Sequence, residues 1–191
     1  MTGPDQVSLE IGVWDLDLGA LQARISRPEN AGIRFTTLAD EQRARADWLT
    51  RLCEVDNATG AGDPNVPRTV EQMAERMRDL RVVAEAVIIA KRGPDYVGYT
   101  CLDPKSSDGV ALQQSWTGVR PSYRRRGIGT ALKVQGIAYA RAHGYRRIIT
   151  QPRRSNAASI GMSLKIGYEP AALQDGTPVP KAMREGVSGR T

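Results

Sequence analysis

Acidic residues vanish from this chain for sixty positions. From Gly109 to Tyr168 there is no aspartate or glutamate, while eleven lysines and arginines fall in the same stretch. Of the 21 acids, 18 lie before Gly109, and 22 of the 27 cations are arginine, giving a net charge of +6. A front of mixed charge and a cationic back favour a polyanionic ligand. Other scarcities exclude whole classes. Cys53 and Cys101 are the only two cysteines and stand in dissimilar contexts, which argues against a disulfide framework and a thiolate metal site. His143 is the single histidine; it precedes Gly144 at a helix end, where it serves as a C-terminal charge. A Ser-His-Asp triad and a histidine metal site are thereby disfavoured. No apolar run reaches the roughly 18–20 residues that span a bilayer. The start, Met1 to Gln6, lacks the basic and apolar regions of a signal peptide. These absences lead us to expect a soluble, cytoplasmic, metal-free protein with no membrane partner. The 191 residues suit one domain, and there is no internal repeat.

What is present reads as alternating strands and helices. Val7–Leu16 alternates like a short strand, Leu18–Ser26 allows one or two helical turns, and Ile33–Leu38 has β-branched, alternating character. Asp40–Val55 predicts one helix, with Asp40 as N-cap and Trp48, Leu49, Leu52 and Val55 on one side. A turn-rich loop, Asp56–Pro67, precedes a second helix, Arg68–Leu80, capped by Thr69. Glu85–Lys91 and Tyr96–Leu102 flank Arg92-Gly93-Pro94-Asp95 and predict an antiparallel hairpin. A strand over Val110–Arg120 follows. Asn156–Lys165 predicts a helix stopped at Gly167. Tyr168 begins another strand, and Gly186 onward is expected to fray.

One stretch carries the chemistry: Trp116–Leu132, W-T-G-V-R-P-S-Y-R-R-R-G-I-G-T-A-L. A β-prone run ends at Arg120-Pro121, a basic turn with two glycines follows, and a helical pattern continues to Ala142. Glycines let the backbone take positive φ and approach a ligand closely. The first N–H groups of the helix lack internal partners, and with the helix dipole they make a phosphate site. Arg124, Arg125 and Arg126 add side-chain charge. A phosphate monoester carries about −1.5 to −2, so a polyphosphate ligand matches the cationic back. A nucleic acid would also suit a basic face. However, Trp116, Tyr123, Tyr139, Tyr145 and Tyr168 are not interleaved with the cations as a stacking platform requires, so it is the weaker alternative.

The run Arg124-Arg125-Arg126-Gly127-Ile128-Gly129 resembles motif A of the GCN5-related N-acetyltransferases, the GNAT superfamily. Three more features follow its order: the preceding strand Ala111–Val119, in which Gly118 lies where the family's fourth strand bulges; the strand Ile148-Ile149-Thr150; and N-A-A-S-I-G-M-S-L-K-I-G-Y from Asn156 to Tyr168. Four ordered features are far more specific than a lone glycine motif. The resemblance covers residues 33–170. It implies an α/β (mixed α+β) fold, with a central mixed sheet of six or seven strands splayed between the family's strands 4 and 5 and helices on both faces. Residues 31–185 would form the acetyltransferase domain, with 186–191 as a flexible tail. Residues 1–30 would be an N-terminal extension, either an added edge strand or the remnant of a tandem neighbour.

The resemblance also implies an acetyl-CoA-dependent N-acetyltransferase, acting on an amine of a small molecule by direct attack in a ternary complex. Homodimers are common in the family, although nothing in this chain marks an interface. The cofactor arm would bond the strand edge at Thr117 and Val119. Backbone amides of Arg124, Arg125, Arg126, Gly127, Ile128, Gly129 and Thr130 would hold the diphosphate, and Asn156 would contact the arm. The amide of Val119 is the expected donor to the developing oxyanion. A neutral amine must attack, so a base is required; Glu54, Asp56 and Glu85 are candidates, and Asp63 adds a carboxylate to the same loop. Gln113 and Gln114 can place a water but not act as strong bases. Many relatives carry a tyrosine acid seven residues after the asparagine. Here that position is Ser163, a poor acid, which leaves sulfur polarisation or water-holding to it; Tyr168 is expected to pack in the core. This departure supports the alternative of a degenerate acyl-CoA-binding sensor or scaffold.

Overall fold

The computed structural model describes residues 5–25, 32–60, 66–78, 82–105 and 109–171. Asp63 and the chain beyond Ala171, including the expected tail, lie outside these. The described residues build one seven-stranded sheet: β1 (Leu9–Gly12), β2 (Ile33–Thr37), β3 (Val87–Arg92), β4 (Asp95–Pro104), β5 (Ala111–Val119), β6 (Arg147–Thr150) and β7 (Glu169–Pro170), ordered β2-β3-β4-β5-β6-β1-β7. Only β5 and β6 pair in parallel. The helices are α1 (Leu18–Ile25), α2 (Leu38–Ala44), α3 (Trp48–Thr59), α4 (Val70–Arg78), α5 (Ile128–Ala142) and α6 (Ala157–Ile166). Two apolar clusters lie on opposite sides of the sheet. One gathers Ile128, Leu132 and Ile137 of α5 with Leu102, Leu112 and Ile148. The other gathers Leu52 and Val55 of α3 and Met73 of α4 with Ile89, Tyr96 and Tyr99. The expected mixed sheet with helices on both faces is therefore present.

Three local expectations change. The single helix over Asp40–Val55 is two. Thr37, not Asp40, is the N-cap of α2: it accepts from the Asp40 amide at 3.1 Å while the Asp40 carboxylate accepts from Thr37, a capping box. Arg45 then turns extended, and its guanidinium is held by Asp47 at 2.6 Å, so the chain breaks before α3. The first strand is not an added edge. β1 pairs antiparallel with β6 on one side and β7 on the other, because the alternating Leu9, Ile11 and Val13 bury fully in the α5-side cluster. The irregularity of β5 falls at Ser115 rather than Gly118. Cys101 pairs with Trp116 and Leu102 with Gln114, leaving Ser115 extra. An extra residue inverts the side-chain parity of everything after it. Leu112 and Gln114 thus face α5, whereas Trp116 packs with the α3-side cluster and Gly118 lies against Thr59 of α3.

The remaining elements follow local chemistry. Thr69 and Gln72 cap α4 reciprocally, at 2.9 and 3.2 Å. Gly93, at φ 58°, closes the β3–β4 hairpin. Asn156 caps α6 by accepting from the Ser159 amide at 3.0 Å, and Gly167 ends the helix in the left-handed region at φ 117°. His143 closes α5, stacked on Tyr139 at 4.0 Å.

Candidate active site

β6 stops pairing with β5 at Gln114–Thr150, yet β5 runs on to Val119. Beyond Gln114 that edge of β5 has no partner strand. The Arg120 amide donates to Val97 of β4 at 2.8 Å. Alternation along the ladder therefore points the Gly118 backbone at β4 and the Thr117 and Val119 backbones at the open edge. A cleft of about 2090 Å³ occupies the gap. It crosses the sheet, with one wall from α5 and α6 and the other from α3, α4 and β4.

The basic turn opens into this cleft. Pro121–Tyr123 makes one 3-10 turn, Arg124 is extended, and Arg125 and Gly127 take left-handed φ of 64° and 81°. Arg125 is the one non-glycine among the described residues in that region. Left-handed positions in a turn can present backbone N–H groups as an anion-binding concavity, and α5 starts directly from this turn. Gly129 permits close approach at the next turn: a Cβ there would meet Met162 Sδ of α6 at 3.1 Å.

Of the residues singled out for cofactor contact, Thr117, Val119, Arg124, Arg125, Gly127, Ile128, Gly129, Thr130 and Asn156 all line the cleft. Arg126 does not. Its guanidinium lies over the Tyr123 ring at 5.3 Å and donates to the Ser122 carbonyl at 3.1 Å. Arg124 is partly engaged as a staple, donating to the carbonyls of Val119 at 3.0 Å and Thr59 at 3.4 Å.

The residues singled out for proton transfer are placed elsewhere. Ser163 is buried, and its hydroxyl donates to the Ser159 carbonyl one turn back, at 3.0 Å. Glu54 is exposed and pairs with Arg120 at 3.8 Å. Asp56 is buried, accepting from Arg68 Nε at 3.1 Å and from the Tyr99 hydroxyl. Burial, then the Asp56 charge, hold the Tyr99 phenol well above its ordinary value. Glu85 sits exposed on a short 3-10 turn before β3. None of these four lines the cleft.

The cleft instead brings together groups that sequence reasoning missed. Asp103 is its only lining carboxylate among the described residues. It comes from β4, two positions after Cys101, whose thiol donates to it at 3.4 Å. Burial first and Asp103 second push the Cys101 thiol up to about 12. Trp116 Nε1 is buried without a partner. On the other wall Lys133, 1% exposed, donates to Gln114 Oε1, which also accepts from the Tyr168 hydroxyl at 3.3 Å. Lys133 Nζ stands 5.0 Å from the Tyr168 ring centre. Burial alone brings the lysine down to about 7 and raises the Tyr168 phenol. The signal for Lys133 was present: it falls on the buried stripe with Gly136 and Ala140, where a solvated lysine does not fit.

Comparison with known proteins agrees with this fold. The chain resembles a tandem GNAT protein from the clavulanic acid biosynthesis pathway, at 18% identity and a TM-score of 0.60, over 86% of this chain and 50% of that one. It therefore spans half the length of that relative. The ribosomal-protein-S18-alanine N-acetyltransferase of Escherichia coli superposes with a TM-score of 0.56 at 18% identity, over 73% of this chain and 79% of that one. Diaminobutyrate acetyltransferase of Paenibacillus lautus, solved with L-2,4-diaminobutyric acid and coenzyme A, gives 0.53 at 25% identity, over 70% and 73%. Residues 49–168, more than half of the chain, match one family throughout, and the protein belongs to the acetyltransferase (GNAT) family, whose members are acyltransferases.

Proposed function

We propose that this protein is an acetyl-CoA-dependent N-acetyltransferase that passes the acetyl group to an amine of a small molecule by direct attack in a ternary complex. The observation that carries this reading is the unpaired edge of β5, opening beside the amide-lined turn at the start of α5. A pantetheine arm has peptide-like amides and fits such an edge at Thr117 and Val119. The backbone from Arg124 to Thr130 is shaped for a diphosphate, with Arg125 adding charge. Asn156 spends its oxygen on the Ser159 amide, which leaves its NH2 group for the arm.

The cleft gives the two substrates separate walls. The α5 wall, with the turn and α6, suits the coenzyme; the α3–α4 wall suits the acceptor. On the acceptor side Asp103 replaces Glu54 and Asp56 as the carboxylate in reach of an incoming ammonium. Cys101, the cysteine of the cleft, supports attack without a covalent acetyl-enzyme. A thiol held at about 12 is protonated at neutral pH and is a poor nucleophile.

Isothermal calorimetry with acetyl-CoA, and thiol release over a panel of small amines, test the reading. No binding at millimolar ligand would end it. Binding without turnover on any amine would favour the acyl-CoA sensor instead, a reading supported by Ser163 facing away from the cleft. Gly129→Glu, which puts bulk against Met162 and a negative charge beside the anion site, should weaken CoA binding at least ~100-fold, about 2.7 kcal/mol. Ser163→Ala should leave binding within about twofold, less than ~0.5 kcal/mol. Equal losses in both variants would contradict the division of the site.

A further inference from the structure

Ser163 stands where many relatives carry a tyrosine acid and is itself a poor acid, and the structure turns its hydroxyl into its own helix. The proton for the departing thiolate must come from another group. Among the described residues, the ionisable side chains on the α5 wall are few. Besides Lys133, Tyr123, Arg124, Arg125, Arg153 and Lys165 line the cleft on this side; guanidinium groups do not deprotonate in proteins, Lys165 is exposed, and the Tyr123 ring lies in the turn under the Arg126 guanidinium. Lys133 differs in position. It projects from the second turn of α5 beneath the point where β5 and β6 part, since its acceptor Gln114 is the last β5 residue paired with β6.

We infer that Lys133 is the proton donor of the transfer reaction, giving an Nζ proton to the sulfur of coenzyme A as the thioester bond breaks. This role rests on the acetyltransferase reading above. The step balances. The amine nitrogen bonds to the carbonyl carbon and loses a proton on the acceptor side, to Asp103 or water. The C–S electron pair goes to sulfur, sulfur takes the proton from Lys133, and the neutral lysine regains one from solvent through the cleft.

Several independent features fit an acid and not a structural lysine. No carboxylate among the described residues pairs with Lys133. Its direct partners are the neutral Gln114 oxygen and the Tyr168 ring. The groups around it on β4 and β6, Thr100 and Thr150, are neutral, and Thr100 accepts from Gln114 Nε2 at 3.1 Å. Tyr168 is the titratable side chain against it, and burial keeps that phenol protonated. Asp103 lies across the sheet, on the Cys101 side. Burial therefore disfavours the charged lysine with nothing to offset it, and transfer leaves it in the form the site prefers. An ammonium near 7 gives its proton downhill to a thiolate whose thiol is about 8.5 in model peptides. It would be a weak base toward an ordinary alkylammonium, which fixes the direction of its use.

The test combines a titration and a rate. The sequence has five lysines, so 13C NMR of lysine-labelled protein should show one ε-carbon resonance titrating near 7, absent in Lys133→Met. With acetyl-CoA and an accepted amine, wild-type kcat should fall as pH rises through about 7. Lys133→Met should lose that limb and ~10²-fold in kcat, with CoA affinity within about twofold. If the methionine variant does not fold, Lys133→Gln serves the same comparison. A Lys133 resonance at the ordinary lysine value overturns the proposal, as does a variant with wild-type kcat and pH profile. A wild-type protein that binds CoA yet acetylates no amine overturns the transferase reading and this role with it. That case is recognised by the absence of turnover in the wild type itself, whatever Lys133 titrates at.

Discussion

Two buried lysine–tyrosine clusters flank the sheet and are built on opposite terms. On the α2 side, Glu41 is 3% exposed and accepts from Lys91 Nζ and from the Tyr96 hydroxyl, each at 2.6 Å, with Arg45 at 3.9 Å. On the α5 side, Lys133 and Tyr168 share the Gln114 oxygen and no carboxylate joins them. The first cluster is neutralised within itself and lies away from the cleft; the second lines it. Glu41 and Tyr96 of the first are as buried as Lys133 and Tyr168 of the second. The presence or absence of a counter-charge is what separates a structural ion pair from a group poised to exchange a proton.

The largest break in this comparison comes from Glu41→Ala. Removing the carboxylate leaves Lys91 and Tyr96 without their acceptor and should cost ~3–5 kcal/mol in urea unfolding. Lys133→Met should cost nothing at pH 7, because it removes an unpaired buried charge. The tyrosines should follow the same split. Tyr96→Phe removes a hydrogen bond to a buried carboxylate, for about 1.5–3 kcal/mol; Tyr168→Phe removes a longer bond to an amide oxygen, for under ~1 kcal/mol. Equal losses would mean that the two clusters are not distinct.

The finest test is pH. The folded Lys133 value, about 7, lies below the unfolded one. Between that value and about 10.4 the unfolded chain holds a proton that the folded chain has released. Unfolded protein then binds more protons, so wild-type stability rises with pH across that window, by at most ~1.4 kcal/mol per unit. Below it, both states are protonated and the charge-burial penalty is felt in full. Lys133→Met should thus be more stable than wild type at pH 6, with the gap closing toward pH 10. A gap independent of pH would place Lys133 in an unperturbed setting.

Much of the fold was legible because local chemistry and tertiary structure agreed. The hairpin at Gly93, the caps at Thr69 and Asn156, the stop at Gly167 and the glycine turn into α5 each depend on a few adjacent residues. What was not legible depends on partners distant in sequence. The break between α2 and α3 follows from Arg45 bonding Asp47 and reaching the Pro94 carbonyl at 3.0 Å. The inner place of β1 required β7, only two residues long. At the cleft, the glycine turn from Arg124 to Gly129 could be read, because its shape depends only on local φ angles. The groups proposed for proton transfer could not. Asp56 looked free in a loop but lies in the last turn of α3 bonded to Tyr99, and Asp103 reaches the cleft only because β4 pairs beside β5. Lys133 was readable in principle, as a cation on an apolar helical stripe.

Ser115 has a consequence for how such a chain can change. One surplus residue makes a single strand serve two chambers, with the Gln114 amide toward α5 before it and the Trp116 ring toward α3 after it. Excising that residue would set Trp116 directly after Gln114 on regularly alternating positions, still opposite Cys101, so a one-codon deletion here would straighten the strand while both chambers kept their linings.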